Sequence, residues 1–480
     1  MHATFKSRSL PNAAAPDARP AERLISIRYL LLRGLTAGGA VMMGFVQTLV
    51  LARVLTPDRF SLFIIVGGIG YSLWVTDLGL AKILFVNLRA GHLAGQLREH
   101  DARQAGAVIG FYVLLALGAA TLCFAASLMQ PATGLRQAGE LALFLLFITL
   151  NLAWYSLRSI SIAVDLYLFY EKLELIRRVA VVATMLAMLV GLPLMVFLIG
   201  VDLLWAVLLT LAVAALVRRG AMAIRPFGLL ADLAAFFREN KTTIRRSATG
   251  ALSAVFTASF PYYFVPLAFG LGAAPIILEV TFRIFRGTAV IYAACCDLTL
   301  PAQTRALAAR DAGRLLRTTL LAVALCAVPA MAGCAALALA GAPIFRFLVH
   351  AAAAIPPAIT PILIVLLLVN VLQIVAEALL QHTGYFRSLA RVGALTVALM
   401  VAVAAVTVLA KLDIVGFLAA YTAVFTACTL LLVAAAIMGP IRAAAYPAGA
   451  GLSGVPGVPG ASNGWLQMLR GVWQSKAAAH

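Results

Sequence analysis

Twelve apolar runs divide this chain, and they constrain its fold more than any other feature. They fall at roughly 29–52, 61–86, 105–129, 141–163, 179–199, 201–217, 247–270, 274–297, 316–341, 357–380, 388–410 and 414–438. A transmembrane helix needs about 20 apolar residues, so the runs read as an all-α polytopic membrane protein of about twelve transmembrane helices. The narrowest separations are at Gly200, between the fifth and sixth runs, and at Gly270–Ala274, between the seventh and eighth. Both read as tight hairpins.

Composition agrees. Hydrophobic residues make up 63% of the 480 and charged residues 11%, against about 25% charged in an ordinary soluble domain. A soluble enzyme, a disordered protein and a secreted disulfide scaffold are all excluded. The six cysteines lie inside apolar runs with no Cys-x-x-Cys pair, so they read as small core residues rather than a zinc or redox site.

The net charge of +19 reports orientation. With the N-terminus inside, 28 of the 37 Lys and Arg fall in inner segments and 5 in outer loops: Arg53, Arg59, Arg136, Arg346 and Lys411. Arg33, Lys82, Arg283 and Arg286 lie within or at the edges of spans. This is the positive-inside pattern, with both termini cytoplasmic. It uses up the basic balance, so nucleic acid is not an expected partner. The domain reading is a disordered arm over 1–28, an N-terminal lobe over 29–217 and an inter-lobe loop over 218–246. A C-terminal lobe over 247–438 and a flexible tail over 439–480 follow, with an interfacial helix or a frayed end at 465–474. Asp77-Leu78-Gly79-Leu80 in the second run is echoed by Asp297-Leu298-Thr299-Leu300 in the eighth, a weak sign of a parallel repeat.

Ionisable residues at membrane depth usually face a bundle interior or a wet cavity. In the eighth run, Glu279, Arg283, Arg286 and Asp297 share one helix face at 100° per residue. Either Glu279–Arg283 is a self-neutralising pair one turn apart, or the face lines a cavity. In the tenth run Asn370, Gln373, Glu377 and Gln381 form a second polar stripe, which reads as lumen or as interhelical glue. Asp77 joins Arg33 and Lys82 in the first two runs, where snorkelling competes with a lumenal role. Asn151, Tyr155, Arg158 and Asp165 share a face of the fourth run, with Arg158 and Asp165 near the inner surface. No phosphate loop, His-Glu-x-x-His or Gly-x-Ser-x-Gly motif occurs, and the outer loops are short, so the chain does not read as an enzyme.

Leu51-Ala52-Arg53-Val54-Leu55-Thr56-Pro57-Asp58-Arg59-Phe60, followed by a run ending Thr76-Asp77-Leu78-Gly79-Leu80, resembles the first helical hairpin of the Wzx-type oligosaccharide flippases. These are polysaccharide exporters of the multidrug/oligosaccharidyl-lipid/polysaccharide (MOP) superfamily. Ser61 stands where that pattern has Gly. Leu300-Pro301-Ala302 with Arg305, Asp311, Arg314 and Leu315 is similar to a later family loop, with Thr304 at its Ser and Arg310 at its Gly.

The resemblance implies two six-helix lobes around a central cavity and alternating access. The expected cargo is a polyprenyl-(pyro)phosphate-linked oligosaccharide for surface polysaccharide, moved across a bacterial inner membrane. No cofactor is implied; coupling would be to H+, Na+ or the membrane potential. Arg283 and Arg286 would meet phosphate, with Arg33 and Lys82 behind them, and Glu279, Asp297 and Glu377 would tune them or carry protons. Membrane lipids and polysaccharide polymerase or assembly proteins are the expected partners. The alternatives are a lipid II or drug exporter of the same superfamily, a membrane-embedded polymerase or glycosyltransferase, and a scaffold.

Overall fold

The computed structural model describes residues 27–445, apart from 78, 94–96, 131–133, 226–227, 351–352 and 384. The arm over 1–26 and the tail from 446, including the helix read at 465–474, lie outside the described residues. The described chain is helical: α1 (Ile27–Val54), α2 (Pro57–Ser72), a 3₁₀ turn (Leu73–Asp77), α3 (Leu80–Leu93), α4 (Glu99–Leu128), α5 (Leu135–Thr149), α6 (Asn151–Ala163), α7 (Tyr167–Met188) and α8 (Leu194–Arg218). After these come α9 (Leu229–Glu239), α10 (Lys241–Phe269), α11 (Ala273–Ala308), α12 (Ala312–Val349), α13 (Ile359–His382), α14 (Phe386–Leu409) and α15 (Ile414–Ala436). Among the described residues there is no strand. Counting α2–α3 and α5–α6 as broken single spans, and setting α9 aside, twelve crossings result.

Eight of those crossings are long and apolar enough to span a membrane on length and hydropathy alone. The other four are α2–α3, α7, α10 and α11. They carry the break at Asp77–Gly79, the prolines inside α10 and the Glu/Arg groups of α7 and α11, which lower hydropathy. The protein is therefore a multi-pass membrane protein, and two of its less apolar helices, α7 and α11, pack against α1. α1 packs against α7 within its own lobe and against α11 across the lobe boundary.

The helix boundaries depart from the apolar runs. The hairpin between spans five and six is at 189–193, not at Gly200, which lies inside α8. Gly191 takes φ +105, and Pro193 caps α8 without needing a donor. As a result α7 begins at Tyr167, and Lys172, Arg177 and Arg178 belong to the helix rather than to an inner loop. The two Asp-Leu-x-Leu segments differ in conformation. Asp77–Leu80 interrupts the second span, with Gly79 at φ +83 and Asp77 Oδ1 accepting from Ala81 N at 3.2 Å. Its echo at 297–300 lies in the unbroken α11.

Buried breaks are repaired locally, as a bilayer demands. At the α5–α6 junction the Asn151 amide donates to Phe147 O (3.2 Å) and Ile148 O (2.9 Å). The later family-like loop caps α12: Asp311 Oδ1 accepts from Arg314 N at 2.8 Å. Arg310 takes φ +54 there, a conformation that suits the Gly of the pattern better than an arginine.

The 218–246 connection is a folded strap. Ala223 N donates to Ala102 O at 2.9 Å, and Phe236 of α9 is fully buried. Gly106 permits this approach, because a Cβ there would sit 2.0 Å from Ala223 O.

The two lobes meet through α1 and α2 on one side and α10, α11 and α12 on the other. Among the described residues, the hydrogen bonds that cross between lobes lie toward the end away from α9. Ser61 Oγ accepts from Gly272 N at 3.0 Å, Tyr263 OH donates to Ser72 Oγ at 2.6 Å, and Arg53 Nη2 donates to Phe347 O at 3.0 Å. Ser61, the departure from the family-like pattern, thus supplies an inter-lobe bond.

Candidate functional site: paired arginines on buried glutamates

One arrangement recurs at depth: a buried glutamate holding two arginines. Glu279 of α11 is 4% exposed. It pairs with Arg283 one turn away and with Arg286 at 3.2 Å. Tyr262 OH of α10 also donates to Glu279 (2.8 Å) and accepts from Arg286. Three of the four residues on the helix face read from the sequence are therefore joined, while Asp297 lies apart from them. The self-neutralising pair is real but incomplete, since one carboxylate faces two guanidiniums.

The same motif stands on α7, just ahead of the fifth apolar run. Glu174 accepts from Arg177 Nε (2.8 Å), Arg178 Nε (2.6 Å) and Trp154 Nε1 (2.6 Å). Arg177 is 1% exposed, with its guanidinium carbon 4.5 Å from the Trp205 ring centroid. Three residues before Glu174, Glu171 accepts from Thr36 Oγ1 at 2.7 Å. It lies 3.5 Å from Arg158 and 4.0 Å from Arg33. Glu171 and Arg178 meet α1 through Thr36 and Met43, whereas Glu174 and Arg177 turn toward Trp154 of α6 and Trp205 of α8.

α1 serves both arginine-bearing helices through glycines. A Cβ at Gly39 would touch Arg178 Cβ at 3.4 Å, and one at Gly44 would meet Arg283 Cδ at 3.0 Å. Small residues allow such close helix approach in membranes. Arg286 reaches further, to the other lobe: its guanidinium carbon is 4.3 Å from the Tyr71 ring centroid and 4.9 Å from that of Tyr262.

Toward the α9 end, charged side chains of the two lobes act on one another. Asp297 of α11 is solvent-exposed, yet Arg33 and Arg158 of the other lobe act on it electrostatically. Asp77, Arg158, Asp297 and Arg33 all act on Tyr155. Asp77 also accepts from Tyr112 OH at 2.9 Å. The structure thus gathers Arg33, Asp77 and Asp297 with Arg158 and Glu171 into one polar space, and Glu279, Arg283 and Arg286 into the seam above it. Asp165, by contrast, lies in the α6–α7 turn, bonded to Arg89 (2.8 Å) and His92 (2.9 Å).

The α13 stripe joins neither group through a described bond. Asn370 is buried, Gln373 is half-buried, and Gln381 donates to Glu377 at 2.8 Å. The side chain of Lys82 lies outside the described residues. Among the described residues no cluster of three or more His, Cys, Asp or Glu could hold a metal ion.

No protein-family model and no curated protein matches the chain. Solved structures do match along nearly its whole length. A MOP superfamily transporter from Pyrococcus furiosus, described as having a binding pocket of reverse polarity, superposes with a TM-score of 0.60 at 12% identity. That match covers 88% of this chain and 96% of the other. A multidrug resistance MATE family transporter in its outward-facing conformation gives 0.58 at 15% identity, over 87% and 97%. The MATE transporter VcmN of Vibrio cholerae in its bent form gives 0.55 at 12%, over 87% and 97%. The class is thereby defined at the level of fold: this chain has the two-lobed, twelve-helix architecture of MOP superfamily transporters.

Proposed function

We propose that the chain is an exporter working by alternating access, and that its cargo is a lipid-linked oligosaccharide carrying a phosphate or pyrophosphate. The observation that supports this reading most is the Glu279–Arg283–Arg286 group. Two guanidiniums share one carboxylate, leaving one positive charge at membrane depth beside the inter-lobe space. The Glu171 and Glu174 groups repeat the excess. A phosphate oxygen is a fitting second anion, because guanidinium is permanently charged and matches it with a planar two-point fork. The headgroup would enter from the α9 end, where the lobes part, and leave when the Ser61–Gly272 and Tyr263–Ser72 contacts separate. The lipid tail would stay in the bilayer. Ion or potential coupling, a bacterial inner-membrane location with cytoplasmic termini, and assembly with polysaccharide polymerases belong to the same proposal.

A second reading, export of a cationic drug, is favoured by a different observation. Asp297 is the most open charged group in the space between the lobes, and a carboxylate there suits a cation.

One experiment separates the two. Arg286→Gln leaves Glu279 neutralised by Arg283, so the protein is expected to insert normally. In cells lacking the native chain it should abolish surface polysaccharide and cause lipid-linked oligosaccharide to accumulate. Asp297→Asn should leave polysaccharide intact. Normal polysaccharide in Arg286→Gln, together with drug resistance lost in Asp297→Asn, would reverse the preference.

A further inference from the structure

We propose that a cavity between the ends of α1 and α12, on the face away from α9, is a binding site for a phosphate-type oxyanion spanning the lobe seam. The cavity holds about 390 Å³ and is lined by Arg53, Pro343, Arg346, Phe347 and His350. It is separate from the paired-arginine groups inside the bundle and stands whatever the cargo is.

The charge pattern singles it out. Five basic residues are expected on this face, where insertion disfavours them. Arg59 and Arg136 both pair with the buried Glu140, 1% exposed. Lys411 sits in the α14–α15 turn at φ +50. The remaining two, Arg53 and Arg346, meet in this one cavity together with His350. Among the described residues none of the three has an acidic partner, and no acidic side chain lines the cavity.

The geometry is built rather than loose. Arg53 is pinned across the seam by bonds to Leu49 O (3.3 Å) and Phe347 O (3.0 Å), with its guanidinium carbon 5.2 Å from the Phe347 ring centroid. Three of its five N–H groups remain for a ligand. α12 bends at Ala340 (φ −135, ψ 22) and carries Pro343 just beyond, which redirects its last turns toward α1. His350 closes the helix at φ +52, an unusual conformation for a non-glycine residue. Basic residues do favour helix C-termini, but Arg53 of α1 already occupies a last-turn carbonyl of α12. Arg346 and His350 remain for an anion. Such a ligand touches α1 of one lobe and α12 of the other, so its binding favours the state in which this end is closed.

The anion comes either from a lipid headgroup or from free solute, and two probes distinguish them. Purified full-length protein is titrated with phosphatidylglycerol and read by native mass spectrometry, and with inorganic phosphate and read by thermal unfolding. Arg346→Gln keeps the Arg53 pin, and Lys411→Gln is a control on the same face outside the cavity. Binding by the parent should weaken about tenfold in Arg346→Gln, the scale of one lost charge-assisted contact, and be unchanged in Lys411→Gln. Loss confined to phosphatidylglycerol identifies a lipid headgroup, and loss of phosphate stabilisation identifies a free oxyanion. Either supports the site. Parent protein that binds neither probe, or Arg346→Gln and Arg53→Gln/Arg346→Gln variants that bind both as tightly as the parent, would overturn it.

Discussion

Arg286 of the C-terminal lobe stacks its guanidinium on Tyr71 of the N-terminal lobe, 4.3 Å from the ring centroid. The same guanidinium bonds Tyr262 and Glu279 within its own lobe. One side chain thus belongs both to the Glu279 charge group and to the contact that holds the lobes together. Under the proposed function, an anion drawing Arg286 toward itself would weaken the contact with Tyr71 and so link anion binding to lobe separation.

Tyr71→Ala isolates the seam half of that role. A cation–π contact of this kind contributes about 1 kcal/mol, and more where water is excluded. Its loss should raise the fraction of molecules open at the end away from α9 roughly fivefold. A cysteine at Ser61, beside Gly272, reports on that opening. Labelling by a membrane-impermeant thiol reagent should be faster in Tyr71→Ala than in the parent, and equal rates would show that the stacking does not hold the seam.

Two arginines on one glutamate make the three positions unequal. Arg283→Gln or Arg286→Gln leaves a neutral pair, so the melting temperature should change little. Glu279→Gln leaves two like charges buried side by side. Removing one partner from a buried ionic group costs about 3–5 kcal/mol, so this variant should show a large loss of thermal stability or of folded yield. A Glu279→Gln protein as stable as Arg286→Gln would mean that the arginines find compensation elsewhere. The same order is expected for Glu174 against Arg178 on α7.

The contrast between these two helices shows what was legible in the sequence. Glu279, Arg283 and Arg286 interrupt an apolar run, so their depth and shared face could be read from helical spacing alone. Glu171, Glu174, Arg177 and Arg178 precede an apolar run, where positive-inside charge is a sufficient explanation, and their burial depends on Thr36 and Gly39 of α1 and on Trp154 and Trp205 of α6 and α8. That pairing is tertiary. Gly200 drew the hairpin away from Gly191-Leu192-Pro193, although Pro193 marks the true helix start. The break at Asp77–Gly79 was visible as a motif, but nothing local distinguishes it from Asp297–Leu300, which stays helical. Twelve crossings were legible because hydropathy is a one-dimensional signal, whereas the inter-lobe bonds of Ser61, Tyr71 and Arg53 join residues roughly 200 to 300 positions apart.

Glycines at the seam differ in what they tolerate. A Cβ at Gly68 would lie 2.5 Å from Tyr262 Cβ, an atom fixed to the α10 backbone. At Gly44 the neighbour is Arg283 Cδ at 3.0 Å, on a flexible chain. Gly68→Ala should therefore push α2 from α10, costing about 1–3 kcal/mol in the closed state as an overpacked contact does. Gly44→Ala should be nearly silent. Thermal unfolding of the two variants tests the difference, and a melting temperature for Gly68→Ala matching that of Gly44→Ala would show that Tyr262 can yield.

The strap that carries α9 should loosen in acid. His100 and then Gln104 hydrogen-bond the Glu239 carboxylate, at 2.9 and 2.7 Å, and hold its pKa below the usual 4.5. A carboxyl whose folded pKa is depressed contributes stability above its unfolded value and loses it as pH falls through the folded one. The attachment of α9 to α4 is accordingly expected to be constant from neutral pH down to about 4.5 and to weaken below it. Glu239 is exposed, so solvent screening keeps the effect local to the strap. Hydrogen exchange of the α9 amides, corrected for intrinsic rates, should show protection falling in that acid window, while amides in α8 and α10 are unaffected. Glu239→Gln should flatten the response. Protection that persists unchanged to pH 3 would mean that Phe236 burial alone fixes the strap.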